Sequence, residues 1–138
     1  MNIKQEPLTK EVERILISFS KEWEHEQSCY GYKANNASDL EGRTILIAYI
    51  DMEPVGYLFG IYETTEDEST TIPINSMIFK LEEIYVKQSC RSKGVGKRLF
   101  TTLEGIIKDK VDFLTLSTAT KNYKGILNFY IEGLGMDF

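Results

Sequence analysis

The chain has 138 residues, with 16 Lys and Arg against 21 Asp and Glu, for a formal net charge of −5. That length suits one domain, here residues 1 to 138, which buries enough of its own surface to stand without staples. The acidic balance argues against a nucleic-acid partner, which asks for a basic face.

Two cysteines, Cys29 and Cys90, make no disulfide framework, and MNIKQEPLTK has no signal-peptide core. A reducing cytoplasm is therefore the expected location. No apolar run reaches the length of a membrane span, so no membrane partner is expected. His25 is the only histidine, which excludes a metal site built from several of them, and no metal is expected.

In chain order, Pro7 and Thr9 mark a helix start. Leu8, Val12, Ile15, Leu16, Phe19 and Trp23 then recur at helical spacing, predicting an amphipathic helix over 9–24. Residues 25–43 are polar and broken by Gly31, Asn35, Asn36 and Gly42, and read as a loop. Thr44 to Ile50 (TILIAYI) predicts a strand, Asp51 to Pro54 a turn, and Val55 to Tyr62 (VGYLFGIY) the returning strand of a hairpin. Glu63 to Thr71 carries four carboxylates and no hydrophobe. It reads as a solvated connection, or as a lure for an amine.

Met77 to Val86 (MIFKLEEIYV) is expected as the central strand. A helix follows with Val95, Leu99, Leu103, Ile106 and Ile107 on one face. Val111 to Thr118 is the next strand. A strand–helix–strand unit predicts that these two strands run parallel. Asn122 to Leu134 reads as a last helix with Gly135 as its stop.

Between the central strand and its helix lies Arg91-Ser92-Lys93-Gly94-Val95-Gly96. A glycine-rich turn feeding a helix N-terminus is an anion site: the first-turn N–H groups lack intrahelical acceptors, and the peptide dipoles favour negative charge there. Arg91, Lys93, Lys97 and Arg98 add four positive charges to that turn of an acidic chain. A mononucleotide P-loop would need a hydroxyl after Gly96-Lys97, where Arg98 stands.

The stretch resembles the coenzyme A loop of the GCN5-related N-acetyltransferase (GNAT) family, Arg/Gln-x-x-Gly-x-Gly/Ala, with the family's hydrophobic-x-Val strand at Ile84-Tyr85-Val86, five residues earlier. The resemblance covers residues 44 to 136. It implies an α/β fold, a mixed sheet whose central parallel strands splay apart and admit the pantetheine arm. Ile84, Tyr85 and Val86 would bind that arm, and Arg91, Ser92, Lys93, Gly94, Val95, Gly96 and Lys97 the pyrophosphate. Asn122 matches the family's arm-binding asparagine, or is simply a helix N-cap. Tyr130 matches its general acid, or is a core tyrosine. Glu82 and Glu83 are candidate bases, and alternation along the strand puts them on opposite faces.

The activity implied is acetyl transfer from acetyl-CoA, the cosubstrate, to a small-molecule or peptide amine. A CoA-binding module without turnover is the alternative. Glu22, Glu24 and Glu26 with Trp23, Tyr30 and Tyr32 would wall a cationic acceptor, or form an exposed helix end. The family continues with two further strands where this chain has Met136-Asp137-Phe138, so the last edge is expected to be missing or supplied by a partner, as in a homodimer.

Overall fold

The computed structural model describes residues 1–26, 35–65 and 75–116. Five strands form one sheet in the order β1 (Asn2–Glu6), β2 (Thr44–Ile50), β3 (Glu53–Thr64), β4 (Met77–Val86) and β5 (Phe113–Leu116). The first three junctions are antiparallel, and β4 pairs with β5 in parallel. Helix α1 (Lys10–Glu26) covers one face, and α2 (Val95–Ile107), the crossover between β4 and β5, covers the other.

Helix α1 begins where Thr9 Oγ1 accepts the N–H of Val12 at 3.1 Å, satisfying one of the donors a helix start leaves open. Its buried stripe is Val12, Leu16, Phe19 and Trp23. In α2 the buried set is Val95, Leu99, Leu103 and Ile107 as expected, joined by Phe100, while Ile106 is half-buried.

Several features depart from the sequence reading. The N-terminal residues form an edge strand, Asn2–Glu6, that residues of mixed polarity did not announce. The hairpin turn is two residues long, because Glu53 already pairs with Ile50. Asp51 and Met52 both take positive φ there, the backbone whose twist matches that of paired strands. And β3 runs on to Thr64, so the acidic connection starts two residues later than expected. Residues 66–74 of that connection, the end of the strand predicted to reach Thr118, the helix over 122–134 and its stop at Gly135 lie outside the described residues.

The register of β4 matters most for function. Phe59 faces Glu83 but Gly60 faces Leu81, so β4 carries one extra residue, Glu82, in a bulge. A Cβ on Gly60 would lie 2.4 Å from the Lys80 carbonyl oxygen and 2.5 Å from the Phe79 ring. The strands close up here because β3 has no side chain at that position. The bulge breaks the two-residue alternation: Leu81 and Ile84, three apart, both join the α2 cluster. Glu82 and Glu83 therefore do not divide between opposite faces as a regular strand would place them.

Candidate active site

The antiparallel ladder fixes where the backbone of β4 points. Lys87 N–H donates to Val55 O at 2.8 Å, which makes that pair a hydrogen-bonded one. Alternation then gives Tyr85 opposite Tyr57 the same character, and turns the N–H and C=O groups of Ile84 and Val86 away from β3. On that other side the parallel ladder with β5 is recorded from Ile78↔Phe113 to Leu81↔Leu116, upstream of both residues.

Beyond Val86 the chain makes a short 3₁₀ turn, Gln88–Cys90, and enters the glycine loop. Ser92 takes φ 64°, an uncommon conformation for a residue with a side chain. Gly94 takes φ 83° as the N-cap of α2, a backbone that glycine adopts at no steric cost. Among the described residues no side chain caps this helix end. The first-turn N–H groups of α2 are thus offered to a ligand, with Arg91, Lys93, Lys97 and Arg98 exposed around them and Val95 and Gly96 buried. Arg91 donates from Nε to the Val86 carbonyl at 2.9 Å, and its guanidinium lies 5.3 Å from the centre of the Tyr85 ring.

Tyr85 belongs to an aromatic layer under α1. Its ring stacks on Trp23 at 5.3 Å and meets Phe19 at 5.8 Å and Tyr57 at 5.9 Å. Glu83 lies in the same layer, 1% exposed. Its Oε1 accepts from the Tyr57 hydroxyl at 2.8 Å and its Oε2 from Asn35 Nδ2 at 2.7 Å. Asn35 N–H in turn donates to Ser20 Oγ at 2.6 Å. Glu82 is engaged differently. Arg43 Nε and Nη2 reach its two oxygens at 2.8 and 3.1 Å, and that pair keeps side-chain exposures of 25% for Arg43 and 17% for Glu82. The hydrogen bond and charge of Glu82 raise the pKa of Arg43 against the opposing effect of burial.

An open cleft of about 850 Å³ lies between α1 and the end of β4. Ser18, Lys21, Glu22 and His25 line it from one face of the helix, and Tyr85, Lys87, Gln88 and Ser89 from the strand and loop. Of the acidic wall expected from the sequence, Glu22 lies on this lining, and Trp23 is buried beneath, against Tyr85. The mixed charge of Lys21, Glu22 and Lys87, with His25, was not foreseen, and helical spacing of 18, 21, 22 and 25 was the signal for it.

The structure brings together Glu83, Ile84, Tyr85, Val86 and the loop from Arg91 to Lys97. Asn122, Tyr130, Tyr30 and Tyr32 lie outside the described residues. Among the described residues no group of three or more His, Cys, Asp or Glu could hold a metal ion, and no helix is long and apolar enough to cross a membrane.

A family model described as the acetyltransferase (GNAT) family matches residues 10–136. The chain belongs to that family. Solved structures of the same fold include the ribosomal-protein-alanine N-acetyltransferase from Brucella melitensis biovar Abortus 2308, with 16% identity, a TM-score of 0.70, and coverage of 100% of this chain and 94% of that one. Another is the aminoglycoside 6'-N-acetyltransferase AAC(6')-IG from Acinetobacter haemolyticus, with 20% identity, a TM-score of 0.68 and coverage of 100% and 92%. A third is the aminoglycoside N-acetyltransferase AAC(6')-Iy in complex with CoA, with 18% identity, a TM-score of 0.65 and coverage of 99% and 92%. At these identities the likeness speaks for the fold alone. No curated protein matches the chain. The mixed five-stranded sheet with its parallel β4–β5 pair is that of the GNAT fold.

Proposed function

We propose that this GNAT-family chain is an acetyl-CoA-dependent N-acetyltransferase acting on a primary amine of a small molecule or peptide. The observation that carries this reading is the pairing of two features: backbone groups of Ile84 and Val86 that β3 does not use, and an α2 N-terminus with no side-chain cap behind the left-handed Gly94. An arm with amide groups can add to the first as a further strand, and a pyrophosphate can sit on the second. The absence of a Cβ at Gly94 and Gly96 lets that group approach the backbone.

Bound acetyl-CoA supplies the acetyl group as a thioester. The chain's own residues do the rest. The N–H groups of Ile84 and Val86 supply donors for charge developing on the carbonyl oxygen. Lys93 and Lys97, exposed beside the loop, complement the diphosphate. Asn122 serves as a further contact to the arm. Tyr130 is assigned as the acid that protonates the departing thiolate; a phenol near pKa ~10 is modestly mismatched to a thiol near ~8.5.

Of the two candidate bases, Glu83 is closed off by Tyr57 and Asn35 and holds their geometry. Glu82, half-buried beside Arg43, is the one water can reach, so a proton leaving the amine travels to it through water. The cleft beside α1 is the entrance for the acceptor.

The decisive experiment is CoA-thiol release from acetyl-CoA with a panel of amines, wild type against Tyr130→Phe. We expect turnover with at least one amine and a fall of roughly 100-fold in kcat in the variant, the usual scale of one general acid. Unchanged turnover in the variant would remove Tyr130 from its role. No turnover with any amine, while acetyl-CoA still raises the melting temperature, would leave a CoA-binding module.

A further inference from the structure

We infer that Arg91 works as a hydrogen-bond strut that sets the glycine loop against β4, and not as a counterion for phosphate. It is a positioning residue for the site proposed above, and the inference rests on that reading only where ligand affinity is measured.

Three observations converge on it. The bond to the Val86 carbonyl is made by Nε, the inner nitrogen of the side chain, at 2.9 Å. That carbonyl faces away from β3, so without the strut it has no partner in the β3 ladder. The guanidinium also lies over the Tyr85 ring, 5.3 Å from its centre, and Trp23 holds that ring from α1. One side chain thus spans from the loop to two successive residues of β4. The segment it closes, from Val86 to Arg91, leads directly into Ser92 and Gly94, both in left-handed backbone. A loop with two such residues needs its entrance fixed if its N–H groups are to converge on one point.

Elementary geometry makes the idea testable. Nε of arginine stands four bonds from Cα, and so does the amide nitrogen of glutamine. Glutamine can therefore donate to the same carbonyl without carrying charge. Lysine keeps the charge, but its single nitrogen lies one bond farther out, and it has no planar head to lie over the Tyr85 ring. A strut predicts that Arg91→Gln behaves like wild type and Arg91→Lys does not. A phosphate counterion predicts the reverse.

The test uses the full chain and the variants Arg91→Gln, Arg91→Lys and Arg91→Met, with melting temperatures to confirm folding. First, without ligand, amide hydrogen exchange is followed at residues 93–97. Exchange in Arg91→Gln should stay within about threefold of wild type, and in Arg91→Lys and Arg91→Met it should rise by roughly tenfold, the scale of losing a bond from a charged donor. Second, acetyl-CoA affinity is measured by calorimetry at low and high salt. Arg91→Gln should keep the wild-type affinity and salt dependence to within about threefold, whereas a lost phosphate contact would flatten the dependence. Wild-type exchange and affinity in Arg91→Lys with loss in Arg91→Gln would overturn the inference, as would three variants indistinguishable from wild type. If acetyl-CoA does not bind wild type at all, the proposed function falls, and the exchange measurement still decides the role of Arg91.

Discussion

The two faces of the sheet are built from different materials. Under α2 the buried set is almost wholly aliphatic, Leu46, Ala48, Val55, Leu58, Leu81, Ile84, Val95, Leu99, Leu103 and Ile107 with two phenylalanines. Under α1 it is half aromatic, with Phe19, Trp23, Tyr57, Phe59 and Tyr85 beside Val12, Leu16, Leu40, Ile45 and Ile47, and it holds Ser20, Asn35 and Glu83, three of the buried polar residues. Aliphatic packing is tolerant of detail and contributes mainly to stability. A buried carboxylate with two donors on it is costly to desolvate and fixes geometry, so it belongs where atoms must be placed. The α2 face carries the loop to its position, and the α1 face shapes what stands beside it.

The largest expected effect is on the aliphatic side. Leu103 is fully buried in the third turn of α2, and Leu103→Ala should cost about 3 kcal/mol of unfolding free energy through lost burial and a residual cavity. Acetyl-CoA affinity of the folded protein should change by less than about threefold, because the residue lies two turns from Gly94 and strains nothing at the loop. Urea unfolding and calorimetry read the two quantities separately. A large affinity loss with little change in stability would contradict the division between the faces.

A smaller effect is expected from the aromatic side, where chemistry rather than volume decides. Glu83→Leu leaves the Tyr57 hydroxyl and the Asn35 amide without their acceptor and should cost about 2 kcal/mol. Glu83→Gln keeps one acceptor oxygen and should cost about half as much. Denaturant midpoints of the three proteins give the order directly. If Glu83→Leu proved the most stable, the carboxylate would be a pure liability, and its donors would have found other partners.

How much of this could be read in advance follows the same line. Aliphatic spacing announced both helices and every strand from β2 to β5, because burial of one face repeats at a fixed period. Arg91 to Gly96 announced the loop, since few backbones need glycine at two such positions. The edge strand β1 stayed hidden: Asn2–Glu6 is mixed and mostly exposed, and only its pairing with β2 makes it a strand.

The bulge at Glu82 was missed as well, although Gly60 inside an apolar strand was a signal of close approach. The error that followed, Glu82 and Glu83 on opposite faces, came from applying a period of two across an inserted residue. The partners of both glutamates were beyond reach of sequence reading, because Arg43, Asn35 and Tyr57 come from three separate segments. So was the role of Arg91, whose contact depends on which way the Val86 carbonyl turns.

The smallest effect tests the margin of the α1 face at high pH. Tyr49 packs there with its hydroxyl 3.2 Å from Glu6 Oε1, and its pKa is pushed up to about 12, first by burial and then by the nearby Glu6 charge. The ordinary phenol value is ~10, so the folded chain holds this proton more tightly than the unfolded chain does. The stability that follows is fully present below pH ~10 and drains away as pH rises through the folded value. Because Tyr49 is only half-buried, solvent screens the interaction, and the amount at stake is on the order of 1 kcal/mol or less. Tyr49→Phe has no proton to lose, so between pH 9 and pH 11.5 it should lose less stability than wild type, while the shared titration of lysines cancels in the comparison. Parallel curves for the two proteins would mean that the Glu6 contact does not hold the ring in solution, and that β1 is looser on β2 than its pairing suggests.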